Sequence, residues 1–92
     1  MASNSAAIKV LVADMEEEMQ QFAQQTTIHA FESNRLERDI ANSIKKAFDS
    51  QYQQVWNCIV GRDFGSHVVY QTKRYIFLAY HNNVNVLIWK SN

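Results

Sequence analysis

Three histidines could bind a metal ion or carry protons: His29, His67 and His81. They are far apart in the sequence, and no two have the spacing of three or four residues that would place both ligands on one face of a helix. We therefore expect no metal site. The only cysteine, Cys58, lies in an apolar run without a histidine neighbour, which predicts a buried, inert thiol rather than a nucleophile. A single cysteine also excludes an internal disulfide and a multi-cysteine zinc site.

Both glycines fall in one short link, Gly61-Arg62-Asp63-Phe64-Gly65. No Lys-Ser or Lys-Thr pair follows, so the link is not a phosphate-binding loop. Backbone freedom explains it better, with Gly61 for a turn and Gly65 for the close approach of another chain. Asp39 and Asp63 have no carboxylate partner in view for acid–base chemistry. The sequence therefore predicts a protein that is not an enzyme and has no cofactor.

The elements that position these residues follow from hydrophobic periodicity. Five β-branched or aromatic runs predict strands, at residues 8–12, 55–60, 64–70, 75–80 and 84–89. The first of these is expected at a sheet edge. Apolar spacings of three and four predict one helix to about Ser33 and a second over residues 35–50. Asp14 with Glu17, and Asn34 with Glu37, predict the two helix caps.

This order predicts an α+β fold with two helices packed on an antiparallel sheet. The helices can cover one face of that sheet, yet residues 75–80 and 84–89 are apolar on both faces. An antiparallel sheet with a solvated face should alternate between apolar and polar residues. We therefore infer that a second sheet, from an identical chain related by a two-fold axis, covers the other face.

The composition limits the classes of protein. The 92 residues suffice for one domain, which we assign to residues 8–92 after a flexible N-terminus of residues 1–7. Nine basic and nine acidic residues cancel, so no overall charge attracts nucleic acid or an anionic membrane. No apolar run approaches the roughly 20 residues of a membrane span, and the first residues lack the pattern of a signal peptide. We expect a cytosolic protein.

The central block carries a recognisable pattern. Residues 56–66, WNCIVGRDFGS, closely resemble the W-x-C-I-V-G-R-N-F-G-S signature of the eight-kilodalton dynein light chain family. Further blocks agree: Ala13-Asp14-Met15, Glu17-Glu18-Met19-Gln20-Gln21, Asp39-Ile40-Ala41, Ile44-Lys45-Lys46-Ala47-Phe48-Asp49, Thr72-Lys73 and Lys90-Ser91. The resemblance extends from about Ile8 to the end of the chain.

The resemblance implies a fold and a function. The fold is a homodimer in which residues 64–70 are exchanged between subunits, giving a β-sandwich flanked by helices. The function is that of a non-catalytic hub, which binds short linear peptides of partner proteins by β-strand addition and promotes their dimerisation. Its partners would be the dynein intermediate chain and other proteins with short motifs, in motor complexes on microtubules in the cytoplasm or a cilium, without nucleic acid or membrane.

The resemblance also implies site residues. The peptide groove would be lined by Asp63, Phe64, Gly65, Ser66, His67, Val68, Val69 and Tyr70, with Tyr75, Phe77, Ala79 and Leu87 as floor and wall. The start of the second helix, Leu36-Glu37-Arg38, would offer free amides to a glutamine of the ligand. The dimer interface would contain Trp56, Asn57, Ile59, Gly61, Arg62, Phe64, Ser66 and Val68. The alternative interpretation of the aromatic residues is ordinary core packing.

Several positions depart from the family pattern. His67 and Ala79 stand where tyrosines are usual, and Val69 and Tyr70 stand where threonine and histidine are usual. Lost hydroxyls and a lost imidazole remove polar selectors, so we expect an altered or weakened peptide preference. Asn57 replaces a frequent interface histidine. Two further functions fit the same pattern: a dedicated structural subunit of a motor or axoneme, and an inhibitor of an enzyme.

Overall fold

Two helices and four strands make up the described part of the chain. The structure is a computed structural model that describes residues 7–62, 64, 68–81 and 84–91. The elements, in chain order, are β1 (Ile8–Met15), α1 (Glu17–Ser33), α2 (Glu37–Tyr52), β2 (Trp56–Gly61), β3 (Arg74–Tyr80) and β4 (Val84–Lys90). The predicted α+β class is confirmed. Ala7, assigned to the flexible N-terminus, accepts a hydrogen bond at its carbonyl from the His81 amide at 2.7 Å.

All neighbouring strands are antiparallel, in the order β1-β3-β4-β2. β1 is therefore an edge strand, as predicted, and β2 forms the opposite edge. β1 continues three residues beyond the predicted end at Val12, because its second half pairs with the first half of β3. The register shifts between Val10 and Val12, which leaves Leu11 as an extra residue in the ladder.

Both predicted helix caps are wrong. Asp14 lies within β1, and α1 starts after Glu16 without a side-chain cap. Asn34 ends α1 instead of starting α2: its side-chain amide and its backbone amide both donate to the Ala30 carbonyl, at 2.9 and 3.1 Å. Acidic residues in the first turn of each helix still match the helix dipole.

The core lies between the helices and one face of the sheet. Trp56 is fully buried there, and its ring centroid is 4.7 Å from that of Phe48 on α2. Phe22 on α1 meets Phe48 edge-on at 5.0 Å, so one aromatic cluster joins both helices to β2. Cys58 packs against the same core, and burial raises the pKa of its thiol. This agrees with the expected inert cysteine.

Asp49 connects α2 to β2. One carboxylate oxygen accepts the Trp56 amide at 2.8 Å and the other accepts the Lys45 ammonium at 2.5 Å. Burial raises the pKa of Asp49, but these hydrogen bonds outweigh it, so the pKa lies below its usual value. The same connection is supported from β4, where the Lys90 ammonium donates to the Gln54 carbonyl. The start of β2 is thereby fixed against the helix that covers it.

Candidate functional site

The second face of the sheet, which points away from the helices, is also apolar. Leu87 is fully buried and Tyr75 is 6% exposed, although neither belongs to the core under the helices. Ile59 on β2 lies directly opposite Leu87 and is 41% exposed. The second face is therefore covered over its centre and open along the β2 edge.

The segment after β2 supplies part of this cover. The Phe64 ring contacts Phe77 on β3 edge-on, with the ring centroids 5.8 Å apart. The same ring lies beside Gly61, where an added Cβ would meet it at an ordinary contact distance of 3.6 Å. Gly61 ends β2 and is not in a left-handed conformation, so it does not use the backbone freedom expected of it for a turn.

The segment returns to the sheet at Tyr70 to Lys73. The Tyr70 ring lies over Tyr75, with centroids 4.6 Å apart. The Gln71 amide donates to the Lys90 carbonyl of β4 at 2.9 Å, and a turn with Lys73 at a φ of 66° leads into β3. Asp14 on β1 accepts the Lys73 amide at 3.2 Å. Burial, and then the nearby Asp14 carboxylate, raise the pKa of Tyr70.

The sequence matches the model of a known family. A family model described as dynein light chain type 1 matches residues 7–91. The chain belongs to the dynein light chain type 1 family. The family is in general non-catalytic.

Solved structures share the fold of this dynein light chain. Two are of the dynein light chain-like domain of the Fasciola hepatica calcium binding protein FhCaBP2, with TM-scores of 0.75 and 0.76 at 20% identity. The matches cover 94% and 92% of this chain, and 93% and 91% of those chains. The dynein light chain-like domain of CsTAL3 has a TM-score of 0.72 at 18% identity, covering 91% of this chain and 92% of that one.

Only some of the residues predicted for the groove of this dynein light chain lie together on one face of the sheet. Tyr75, Phe77, Ala79 and Leu87 share the second face, as expected from alternate positions of paired strands. Val69 is 75% exposed and Val68 is half-buried. Among the described residues of the predicted strand, Phe64 and residues 68–70 form no strand within this chain. Four groove residues lie outside the described residues: Asp63, Gly65, Ser66 and His67.

The start of α2, predicted to offer free amides to a ligand, is exposed and has no side-chain cap among the described residues. Leu36, Glu37 and Arg38 are exposed, and no side chain in the described ranges caps the helix at Leu36. The first-turn amides are therefore not occupied by a capping side chain.

The predicted interface residues of β2 lie on both faces of the sheet. Asn57, Ile59 and Gly61 alternate with the core residues of β2 and so lie on the second face; Arg62, just beyond, is exposed. Trp56 lies on the opposite face with no exposed surface, because it fills the space beneath Phe48. Its side chain is thus removed from any surface that a second chain could contact.

Sequence reasoning missed Asp14 as a contact of the returning segment. Ile8 and Val10 face the core, and the register shift between Val10 and Val12 reverses the alternation of β1, which places Asp14 on the second face opposite Tyr75. The residues at the end of β1 also fit a helix start, and the capping interpretation hid the strand.

Other kinds of site find little support in the part of the chain that the structure describes. No three histidine, cysteine or acidic side chains there come together as a metal site. Neither helix has the length and hydropathy that a membrane span requires. A pocket of about 150 Å³ lies on the helix side, away from the second face, and is lined by Ile8, Gln21, Gln24, Gln25 and Ile28.

Proposed function

We propose that this dynein light chain is a dimeric hub that binds short extended peptides of partner proteins by strand addition. Residues 64–70 of each subunit would pair with β2 of the partner, and the peptide would add to the far edge of that strand. Two peptide chains held side by side by one dimer gain a high effective concentration, which promotes their own pairing. The dynein intermediate chain is the expected partner within a motor complex on cytoplasmic microtubules.

One observation carries the proposal: β2 is an edge strand whose second face remains open. The backbone of an edge strand presents unpaired donors and acceptors on one side. Ile59 on that edge strand exposes 41% of its surface, and Val69 in the segment between β2 and β3 exposes 75%. A second copy placed across a two-fold axis would supply a strand to the edge and cover these side chains at once.

The second face supplies the remaining parts of a groove. Tyr75 and Leu87 would form its apolar floor, and half-buried Phe77 and Ala79 share the same face. The start of α2 offers amide donors to a polar side chain of the ligand. Backbone pairing would supply affinity and the floor would supply selectivity, which requires no catalytic group.

A calorimetric titration combined with a mass measurement tests the proposal. A peptide containing Thr-Gln-Thr is titrated into the protein, and sedimentation gives the mass of the complex. We expect a complex of two chains and two peptides. A control peptide with proline in place of the first threonine should not bind, because proline lacks the amide that a ladder needs. A chain that stays monomeric and gives no heat with any extended peptide would contradict the proposal.

The peptide preference of this chain is expected to differ from that of typical family members. Val69 lacks the hydroxyl of the usual threonine, so Thr-Gln-Thr peptides should bind more weakly here, and Val69→Thr should recover part of the affinity. Calorimetry of the two proteins with one peptide measures the difference. Affinity of the unaltered chain equal to that of a typical member would show that the preference is unchanged. A panel of unrelated peptides separates a hub from a subunit dedicated to one partner.

The proposed dimer is expected to resist mild acid. Asn57 donates a hydrogen bond to the Ser91 hydroxyl at 2.7 Å and cannot take up a proton as histidine can. Sedimentation at neutral pH and at about pH 5.5, below the ordinary histidine pKa of about 6.5, should give the same dimer fraction. Asn57→His is the matched variant that should become sensitive to acid. Loss of the unaltered dimer near pH 6.5 would refute this expectation.

A further inference from the structure

Asp14 holds the returning segment. Its carboxylate accepts the Lys73 amide at 3.2 Å, and after burial the same carboxylate is the next cause of the raised pKa of Tyr70. Tyr70 is fixed on its other side by the ring of Tyr75, which pairs with Asp14 across β1 and β3. This half-buried carboxylate on an edge strand thus fixes the segment at Lys73, which is 59 positions away in the sequence.

These contacts lie where the chain rejoins the sheet. The Gln71 amide donates to the Lys90 carbonyl and the Gln71 carbonyl accepts the Arg74 amide, at 2.9 and 3.0 Å, so a tight turn forms directly after Tyr70. β2 ends at Gly61. The chain between the two fixed ends, residues 62–69, has a reach of at most about 28 Å when extended. The place where the chain returns to the sheet, at Tyr70 to Lys73, therefore determines which of residues 62–69 can face a partner strand.

We propose that Asp14 is a positioning residue that sets the register of the exchanged strand. The inference rests on the proposed function, because the exchanged strand belongs to it. In a strand, a slip of one residue moves every side chain to the opposite face. A return point fixed by the Asp14–Lys73 hydrogen bond and by the Tyr70–Tyr75 ring contact opposes that slip, so Val69 keeps the same face in the exchanged strand.

The structural part of the inference is tested without peptide or dimer. Asp14→Ala is expected to raise the hydrogen-exchange rate of the Lys73 amide about tenfold, since that amide loses a charged acceptor. Glu16→Ala removes the same charge two residues away, where the side chain makes no capping hydrogen bond, and should leave the Lys73 rate unchanged. An unchanged rate in Asp14→Ala would overturn the inference. If Asp14→Ala fails to fold, Asp14→Asn is used, because its oxygen can still accept the amide and the rate should then rise less.

The positioning part is tested by a double-mutant cycle on the affinity for the Thr-Gln-Thr peptide. Asp14→Ala and Tyr70→Phe should each weaken binding, and the double variant should be little weaker than the poorer single variant. Additive losses, or unaltered affinity in Asp14→Ala despite fast Lys73 exchange, would overturn the positioning role. If the unaltered chain neither dimerises nor binds any extended peptide, the proposed function fails and the register role with it, while the Lys73 amide still reports whether Asp14 anchors the segment.

Discussion

Replacing Trp56 by alanine is expected to lower the free energy of unfolding by about 3–5 kcal/mol. The indole has no exposed surface and joins β2 to the aromatic cluster of Phe48 and Tyr52, so the substitution leaves a large cavity. Urea unfolding followed by far-ultraviolet circular dichroism measures the loss, at protein concentrations low enough for the dissociated chain to dominate.

Trp89→Ala is the matched control, because Trp89 is only half-buried and lies on the second face opposite Asn57. Its cost should be clearly smaller. Trp56→Phe should also cost less than alanine, since the indole Nε1 has no hydrogen-bond partner among the described residues and phenylalanine leaves no partner unpaired. If Trp56→Ala left the stability of the single chain unaltered and weakened only dimerisation, Trp56 would be an interface residue after all.

Ile59→Lys is expected to raise the dissociation constant of the proposed dimer by about 100-fold or more. A charge buried without a partner costs about 3 kcal/mol or more, and each 1.4 kcal/mol is about a factor of ten. The single chain should remain folded, because the Ile59 side chain is 41% exposed there. Sedimentation equilibrium over a range of concentrations measures the constant.

Leu11→Lys is the control for this experiment. Leu11 is 45% exposed, and it lies on β1 at the other edge of the sheet, so the same substitution should leave dimerisation unaltered. Equal dimer affinity for Ile59→Lys and the unaltered chain would contradict the proposed use of the β2 edge. Equal weakening by both substitutions would indicate a general effect of charge rather than a specific interface.

The sequence predicts the helices and the central strands well. β3 and β4 differ from the expected bounds by one residue each, because a continuous apolar run has few alternatives inside a small domain. α2 begins and ends two residues later than expected. The apolar stripe of α2 shows where the helix lies. The first and last residues of the helix depend on capping contacts, which the stripe does not reveal.

The errors occur where a short polar residue has two possible partners. Asp14 and Asn34 both suit a helix start, yet one accepts from distant Lys73 and the other closes the preceding helix. Local spacing cannot distinguish these choices, because the competing partner of Asp14 comes from the far end of the chain. For the same reason the sequence indicates that the second face needs a cover, but not that Phe64 and Tyr70 supply part of it.

The extra residue Leu11 in β1 has a consequence for assembly. A bulge twists an edge strand and spoils its donor–acceptor spacing, so β1 is a poor template for another strand. β2, at the opposite edge, pairs with β4 without such a shift. A sheet with one regular edge and one irregular edge can be extended on one side only. In the proposed dimer, pairing through that side about a two-fold axis would join two copies only and would not continue into a fibre.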